Sequence, residues 1–190
     1  MPTASPDTPH SLLERTRDPG NAVAWDQFSR LYAPLLSAWY RAAGVQAADA
    51  DDLVQKTYHL LLRKLPAFDH SGRPGAFRSW LRNVVFNLLR DFRRTRPHIG
   101  TEGMADPIDG QADTVQKWDR EHDLHVLNGL LELVRPDFST GVWRAFCLTA
   151  LEGRSADEAA AATGLSANAV TISRSRVLGR LRREAQGLID

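Results

Sequence analysis

The chain carries one cysteine, Cys147, among 190 residues, so no internal disulfide can form, and no Cys/His set shows zinc-ligand spacing. Nothing points to an oxidising compartment or a structural metal. No apolar run reaches the roughly eighteen residues of a membrane span. Met1 to His10 has no positive start leading into an apolar stretch. The expectation is a soluble, unexported protein of the reducing cytoplasm, with no membrane partner. Phosphate-binding loops and nucleophile motifs are missing too. His122 and His125 stand three apart without a recognisable third ligand. No catalytic residue, metal or cofactor is therefore expected. An enzyme using Asp51, Asp52, His59 or these two histidines is the weakest reading.

What is present is apolar material and a segregated charge. With 43% hydrophobic residues, the chain can fill one or two small cores, and two modest domains fit better. The net charge of +1 hides an asymmetry. From Arg73 to Arg96, seven arginines oppose one acid, Asp91, for about +6. From Glu102 to Asp123, seven acids oppose Lys117 and Arg120, for about −5.

Helical periodicity dominates. Pro2, Ser5, Pro6, Thr8 and Pro9 mark a disordered leader. Trp25, Phe28, Leu31, Tyr32, Leu35, Leu36 and Trp39 form a wide stripe that Pro34 should kink or split. Asp49, Asp51 and Asp52 open a second helix carrying Leu53, Val54, Thr57, Leu61 and Leu65, where acids suit the positive end of the macrodipole. Pro66 to Gly75 reads as a loop. Next comes an amphipathic helix whose apolar face is Phe77, Leu81, Val84, Val85, Leu88 and Phe92. Its polar face carries Asn83, Asn87, Arg90 and Arg94. Phe86 falls on the polar side, where an exposed ring wants something to stack on. Ile99 to Val115 loses periodicity and reads as a solvated acidic tether, with transient cover of a basic surface as the alternative.

In the last third, Leu124, Leu127, Leu130, Leu131 and Val134 form one stripe, and Val142, Trp143, Phe146 and Ala150 another that Gly153 ends. Ser155 to Glu158 is a capping box. Ala160, Gly164 and Val170 have helix-turn-helix spacing, with Ser166 capping the second helix. Gly164 to Glu184 carries five arginines against one acid, about +4. Turning Val170, Val177, Leu178 and Leu181 inward puts Asn168, Ile172, Ser175 and Arg176 outward beside Thr171 and Arg183, while Arg174 falls toward the packed side. Arg176 suits guanine, whereas Arg180, Arg182 and Arg183 suit phosphate.

These runs together resemble an extracytoplasmic-function (ECF) sigma factor of the sigma-70 family, from about Trp25 to Glu184. Leu31-Tyr32-Ala33-Pro34, Gly44-Val45 and Asp49 through Gln55 are similar to the helix that docks on the β′ clamp helices of RNA polymerase core. Phe68-Asp69, Phe77 through Leu81, Asn87, Asp91 and Arg93-Arg94 resemble the segment that melts and reads the promoter −10 element. Trp143 through Phe146, Glu152 through Ser155 and Ser175 through Leu178 resemble region 4, which reads the −35 element. Lys56 departs from the family pattern, where an acid commonly follows the glutamine. Pro74-Gly75 reshapes the reading loop, and Ser173 and Arg174 replace positions often more basic or more apolar.

The resemblance implies an all-α protein of two small helical domains. They are a region 2 bundle at 21–97 and a region 4 helix-turn-helix at 119–190, joined by a flexible acidic linker at 98–118 and preceded by a leader at 1–20. It assigns polymerase docking to Asp49, Asp51, Asp52 and Gln55. The −10 candidates are Asp69, Arg73, Arg78, Trp80, Asn83, Phe86, Asn87, Arg90 and Arg94. The −35 candidates are Ser166, Asn168, Thr171, Ile172, Ser175, Arg176, Arg180 and Arg183. Polymerase core and promoter DNA are the implied partners, and an anti-sigma factor or other regulator is a further one the resemblance allows. A dimeric helix-turn-helix regulator would explain the last third but not the first domain's arginine-rich helix.

Overall fold

The computed structural model describes residues 10–69, 73–95 and 112–189. Residues 1–9 of the leader, the loop tip at 70–72 and the 98–111 part of the linker lie outside them. Among the described residues there are eight α-helices and no strand.

Helix α1, Leu12–Thr16, differs from the expectation of a leader through residue 20. Ser11 and Glu14 form a capping box: the Glu14 N–H donates to Ser11 Oγ at 3.3 Å and the Ser11 N–H to the Glu14 carboxylate at 3.1 Å. Leu12 and Leu13 are buried, and the helix packs on α2 and α8. Burying each leucine contributes about 1.5–3 kcal/mol, enough to order one turn despite the prolines before it.

Helix α2, Ala22–Ala42, is continuous through Pro34 rather than split. Pro34 faces solvent, while Leu31, Tyr32, Leu35 and Leu36 on either side are buried. Their burial outweighs the roughly 3 kcal/mol a mid-helix proline costs. Gly44, at φ 81°, turns the chain into α3, Ala47–Lys64. Tyr40 Oη and Thr57 Oγ1, both buried, bond at 2.8 Å and tie α3 to α2. A 3-10 turn at Leu65–Ala67 and Gly75, at φ 68°, lead to α4, Ala76–Thr95. Helix α4 buries Phe77, Leu81, Val84, Val85 and Leu89, so its inward row ends on Leu89 while Leu88 and Phe92 stay half-buried.

Helix α5, Ala112–Val134, begins inside the stretch read as linker. Its inward row is Trp118, His122, Val126, Leu130 and Val134. That overturns part of the leucine stripe, because Leu124 and Leu127 are exposed at 61% and 43%. The register is set by partners no wheel contains: Trp118 stacks on Trp39, and Gly129 passes so close to Leu31 that a Cβ would sit 2.2 Å from its Cδ1.

Helix α6, Thr140–Phe146, is capped by Ser139 and runs into a π-helical turn, Cys147–Leu151, before Gly153 at φ 70°. Helix α7, Ala156–Thr163, has the expected Ser155/Glu158 capping box. The bond from the Ser155 backbone N–H holds the Glu158 carboxyl below its ordinary value. Gly164, at φ 72°, and the Ser166 cap then open α8, Ala167–Ala185. One apolar core runs through α1–α5 and takes in Phe146, Val177, Leu181 and Leu188. A smaller one, Ala145, Leu148, Ala159 and Val170, holds α6–α8 together. The two helical halves therefore pack on one another.

Candidate nucleic-acid and protein interfaces

On α3, Asp51, Asp52 and Gln55 are exposed along one side, with Asp49 half-buried beside them. Asp49 and Asp52 border a groove of about 310 Å³ against α4, shared with Leu53, Lys56, Leu88, Asp91, Phe92 and Thr95. Its floor is apolar and its rim acidic, which suits a long cationic side chain from a protein partner. Lys56 places one positive charge in that rim.

On α4, Asn83, Asn87, Arg90 and Arg94 are all exposed and recur at helical spacing on one face. Arg90 donates to Asn87 Oδ1 at 3.3 Å, and Arg94 pairs with Asp91 at 3.4 Å. Asp69 and Arg73 are exposed on the described ends of the preceding loop. Trp80 is half-buried, its ring 4.8 Å from Phe68 and 5.8 Å from Phe77. Arg17 holds this wall from α1 by donating to the Phe68 carbonyl.

Two −10 candidates have partners inside the molecule. Phe86 is not an open ring: it meets Trp118 of α5 edge-on at 5.6 Å. Arg78 pairs with Asp123 at 2.6 Å and Asp119 at 3.3 Å. Arg82, which sequence reasoning left out, pairs with Asp119 at 2.7 Å. Those aspartates lie just past the stretch read as a tether, Ile99 to Val115, on an ordered helix that contacts the basic one.

His122, fully buried, joins the same cluster. Its Nε2 lies 3.1 Å from Tyr32 Oη and its Nδ1 3.0 Å from the Asp123 carboxylate. The neutral tautomer with its proton on Nδ1 satisfies both, donating to Asp123 and accepting from Tyr32. Burial lowers the His122 pKa below 6.5, against the raising effect of Asp123. Burial likewise raises the Tyr32 hydroxyl well above its ordinary value.

On α8, Asn168, Thr171, Ile172, Ser175, Arg176 and Arg183 are exposed, as the wheel predicts. Ser166 is exposed as well, with its Oγ accepting the Ala169 N–H at 3.2 Å. Ser173 rather than Arg174 takes the inward position: Ser173 is 5% exposed and donates to the Ala169 carbonyl at 2.7 Å, while Arg174 faces solvent. That conflict in the wheel is resolved because Val170, Ser173 and Val177 form the buried row. Arg180 is engaged with Asp137 at 2.9 Å and with Glu184. Burial would lower it, but the bonds to Glu184 and Asp137 hold its pKa above the ordinary value. Glu184, 3% exposed, also pairs with Arg15 of α1 at 2.8 Å.

Arg82, Trp118, Asp119, Asp123, Arg15 and Glu184 are thus the residues sequence reasoning missed. The readable signal was the matched spacing of Arg78/Arg82 and Asp119/Asp123, each four apart.

Residues 28–97 match the family model of sigma-70 region 2. RNA polymerase sigma factor CnrH of Cupriavidus metallidurans is 32% identical, over 98% of this chain and 97% of its own length. The chain belongs to the ECF sigma factors. ECF sigma factor SigE of Mycolicibacterium smegmatis is 29% identical over 88% of this chain and 62% of its own, and sigma factor CarQ of Myxococcus xanthus 28% over 90% and 93%. A solved structure of CnrH in complex with the cytosolic domain of CnrY is 29% identical over 90% of this chain and 92% of that one, with a TM-score of 0.38. As an ECF sigma factor, the protein binds RNA polymerase core and directs transcription initiation at promoters. Among the described residues, no helix is long and apolar enough to cross a membrane, and no group of metal-ligating side chains is gathered.

Proposed function

We propose the following division of labour on this sigma factor. Asp49, Asp51, Asp52 and Gln55 meet the polymerase clamp helices. Asn83, Asn87, Arg90 and Arg94, with Asp69, Arg73 and Trp80 beside the loop, read and hold the melted −10 element. Asn168, Thr171, Ile172, Ser175, Arg176 and Arg183 read the −35 element, with Ser166 setting the start of the recognition helix. The protein works in the cytoplasm by binding and positioning, not by catalysis.

The observation that carries this reading is the exposed Asn83–Asn87–Arg90–Arg94 face of α4, on a helix whose opposite face is locked into the core. A rigid helix with two amides and two guanidiniums aligned can bond base edges and phosphates together. The helix-turn-helix supplies a second site, and two joined sites bind with an avidity neither has alone. Polymerase core aligns both faces on one promoter, so the free protein binds duplex DNA weakly. Run-off transcription with purified core over a promoter library tests this: selective start sites are expected, and their loss in Asn87→Ala with core binding intact. No selective start on any template would overturn it.

A further inference from the structure

The N-terminal half of α5 presents two carboxylates and one large ring to the basic helix α4, and each has a specific receptor. Asp119 and Asp123 are one turn apart, as are Arg78 and Arg82, and the four side chains interlock at 2.6–3.3 Å. The arginines are 19% and 15% exposed in this arrangement. Immediately before Asp119, Trp118 stacks on Trp39 with ring centroids 3.3 Å apart and meets Phe86 edge-on. Two anions with a flat ring beside them are the recognition elements of a short single strand of nucleic acid: phosphates for guanidinium groups, a base for an aromatic platform.

We propose that Arg78, Arg82, Phe86 and Trp39 form a strand-binding site, and that α5 occupies it as an internal nucleic-acid mimic. Asp119 and Asp123 stand in for two phosphates, and Trp118 stands in for a base. The proposal rests on the sigma-factor reading of α4 and adds Arg82, Trp39 and the occupant to it. Four features of the geometry favour mimicry over incidental packing. The charge spacing matches on both helices. Both aspartates are used on arginines rather than on lysines or backbone. The ring is placed on rings. The carboxylate of Asp123 is aimed by His122, which is itself fixed by Tyr32. DNA and α5 then compete for the same groups, so the free protein holds single strands poorly until polymerase core separates α5 from α4.

The test is binding of a fluorescent single-stranded DNA 12-mer by the free full chain, over a range of salt. Asp119→Asn with Asp123→Asn keeps the shape of both side chains and removes the competitor charges. Affinity is expected to rise about tenfold at low salt, and the slope of log affinity against log salt to steepen by about 1.4, the value for two added phosphate contacts on a single strand. Adding Arg78→Gln and Arg82→Gln should cancel the gain. The charge-matched control, Glu121→Gln with Glu132→Gln elsewhere on α5, should change affinity less than twofold. Gly129→Leu offers a second route, because its side chain wedges α5 from Leu31 and should raise affinity with both aspartates intact. No gain in either route, a gain that survives loss of both arginines, or an equal gain in the control overturns the proposal. Core binding and run-off transcription by the same variants separate the two claims. Normal initiation without a gain in strand affinity sinks the mimic alone, and absent initiation by the wild-type chain sinks the sigma-factor assignments.

Discussion

His122 is a buried imidazole facing Tyr32 and Trp39 of α2 and Arg78 of α4, with Asp119 and Asp123 on its own helix. Its pKa in the folded chain lies below the 6.5 of the unfolded one, chiefly because burial opposes the charged ring. Between those two values the unfolded chain binds more protons, so stability rises with pH there and falls as pH drops below about 6.5. Urea midpoints from pH 7.5 to 5.5 should fall in the wild type and flatten in His122→Gln; parallel slopes would remove the histidine from the account. Lys56 is a second residue with a legible consequence. It puts a cation into a rim formed by Asp49, Asp52 and Asp91, opposite to what a basic partner favours. Lys56→Glu should tighten binding to polymerase core by about 0.5–1 kcal/mol at low salt, measured by competition against the wild-type protein. Weaker binding would show that the groove is not part of the docking face.

At the scale of the helices, α8 shows how one element divides its face among tasks. Val170, Ser173 and Val177 seat it, Arg176 projects outward, and Arg180 is held by Asp137 and Glu184. Arg176→Ala is expected to weaken a subset of −35 sequences by about 1–3 kcal/mol, while Arg182→Ala weakens all of them alike. Equal losses across a −35 library would cancel the assignment of roles. Much of this helix was readable beforehand, because caps, the left-handed Gly164 and the buried Val170 are local chemistry. Helix α5 was not. Its leucines suggested the wrong inward row, since Trp118, His122 and Gly129 earn their places only from Trp39, Tyr32 and Leu31, some ninety positions earlier.

Over the whole molecule, the buried carboxylate of Glu184 fastens the end of α8 to α1 through Arg15, and Arg15 also donates to Gln27 of α2 at 3.0 Å. A charged bond to a buried acid contributes about 2 kcal/mol when a second guanidinium remains. Arg15→Ala should lower chemical stability by that amount, and the exposed Arg183→Ala by less than 0.5 kcal/mol. Similar losses in the two variants would show that the α1–α8 link is idle. Together with the Arg78/Arg82–Asp119/Asp123 lattice, this link packs the halves into a body in which part of the basic surface of α4 is already engaged.

The amino-acid order alone determined most of the helices other than α1 and the start of α5, the Ser155/Glu158 and Ser166 caps, the helix-turn-helix and the exposed rows on α4 and α8, since each follows from spacing and short-range bonding within one or two turns. It also carried the family likeness. The tertiary structure alone decided that Leu12 and Leu13 are core, that Pro34 leaves α2 whole, and that α5 turns Trp118 and His122 inward. It also decided that Arg78 and Arg82 pair with Asp119 and Asp123 of α5. Those outcomes depend on which surfaces are brought together across the chain, and a periodic pattern records that a face is apolar or charged without recording what will cover it.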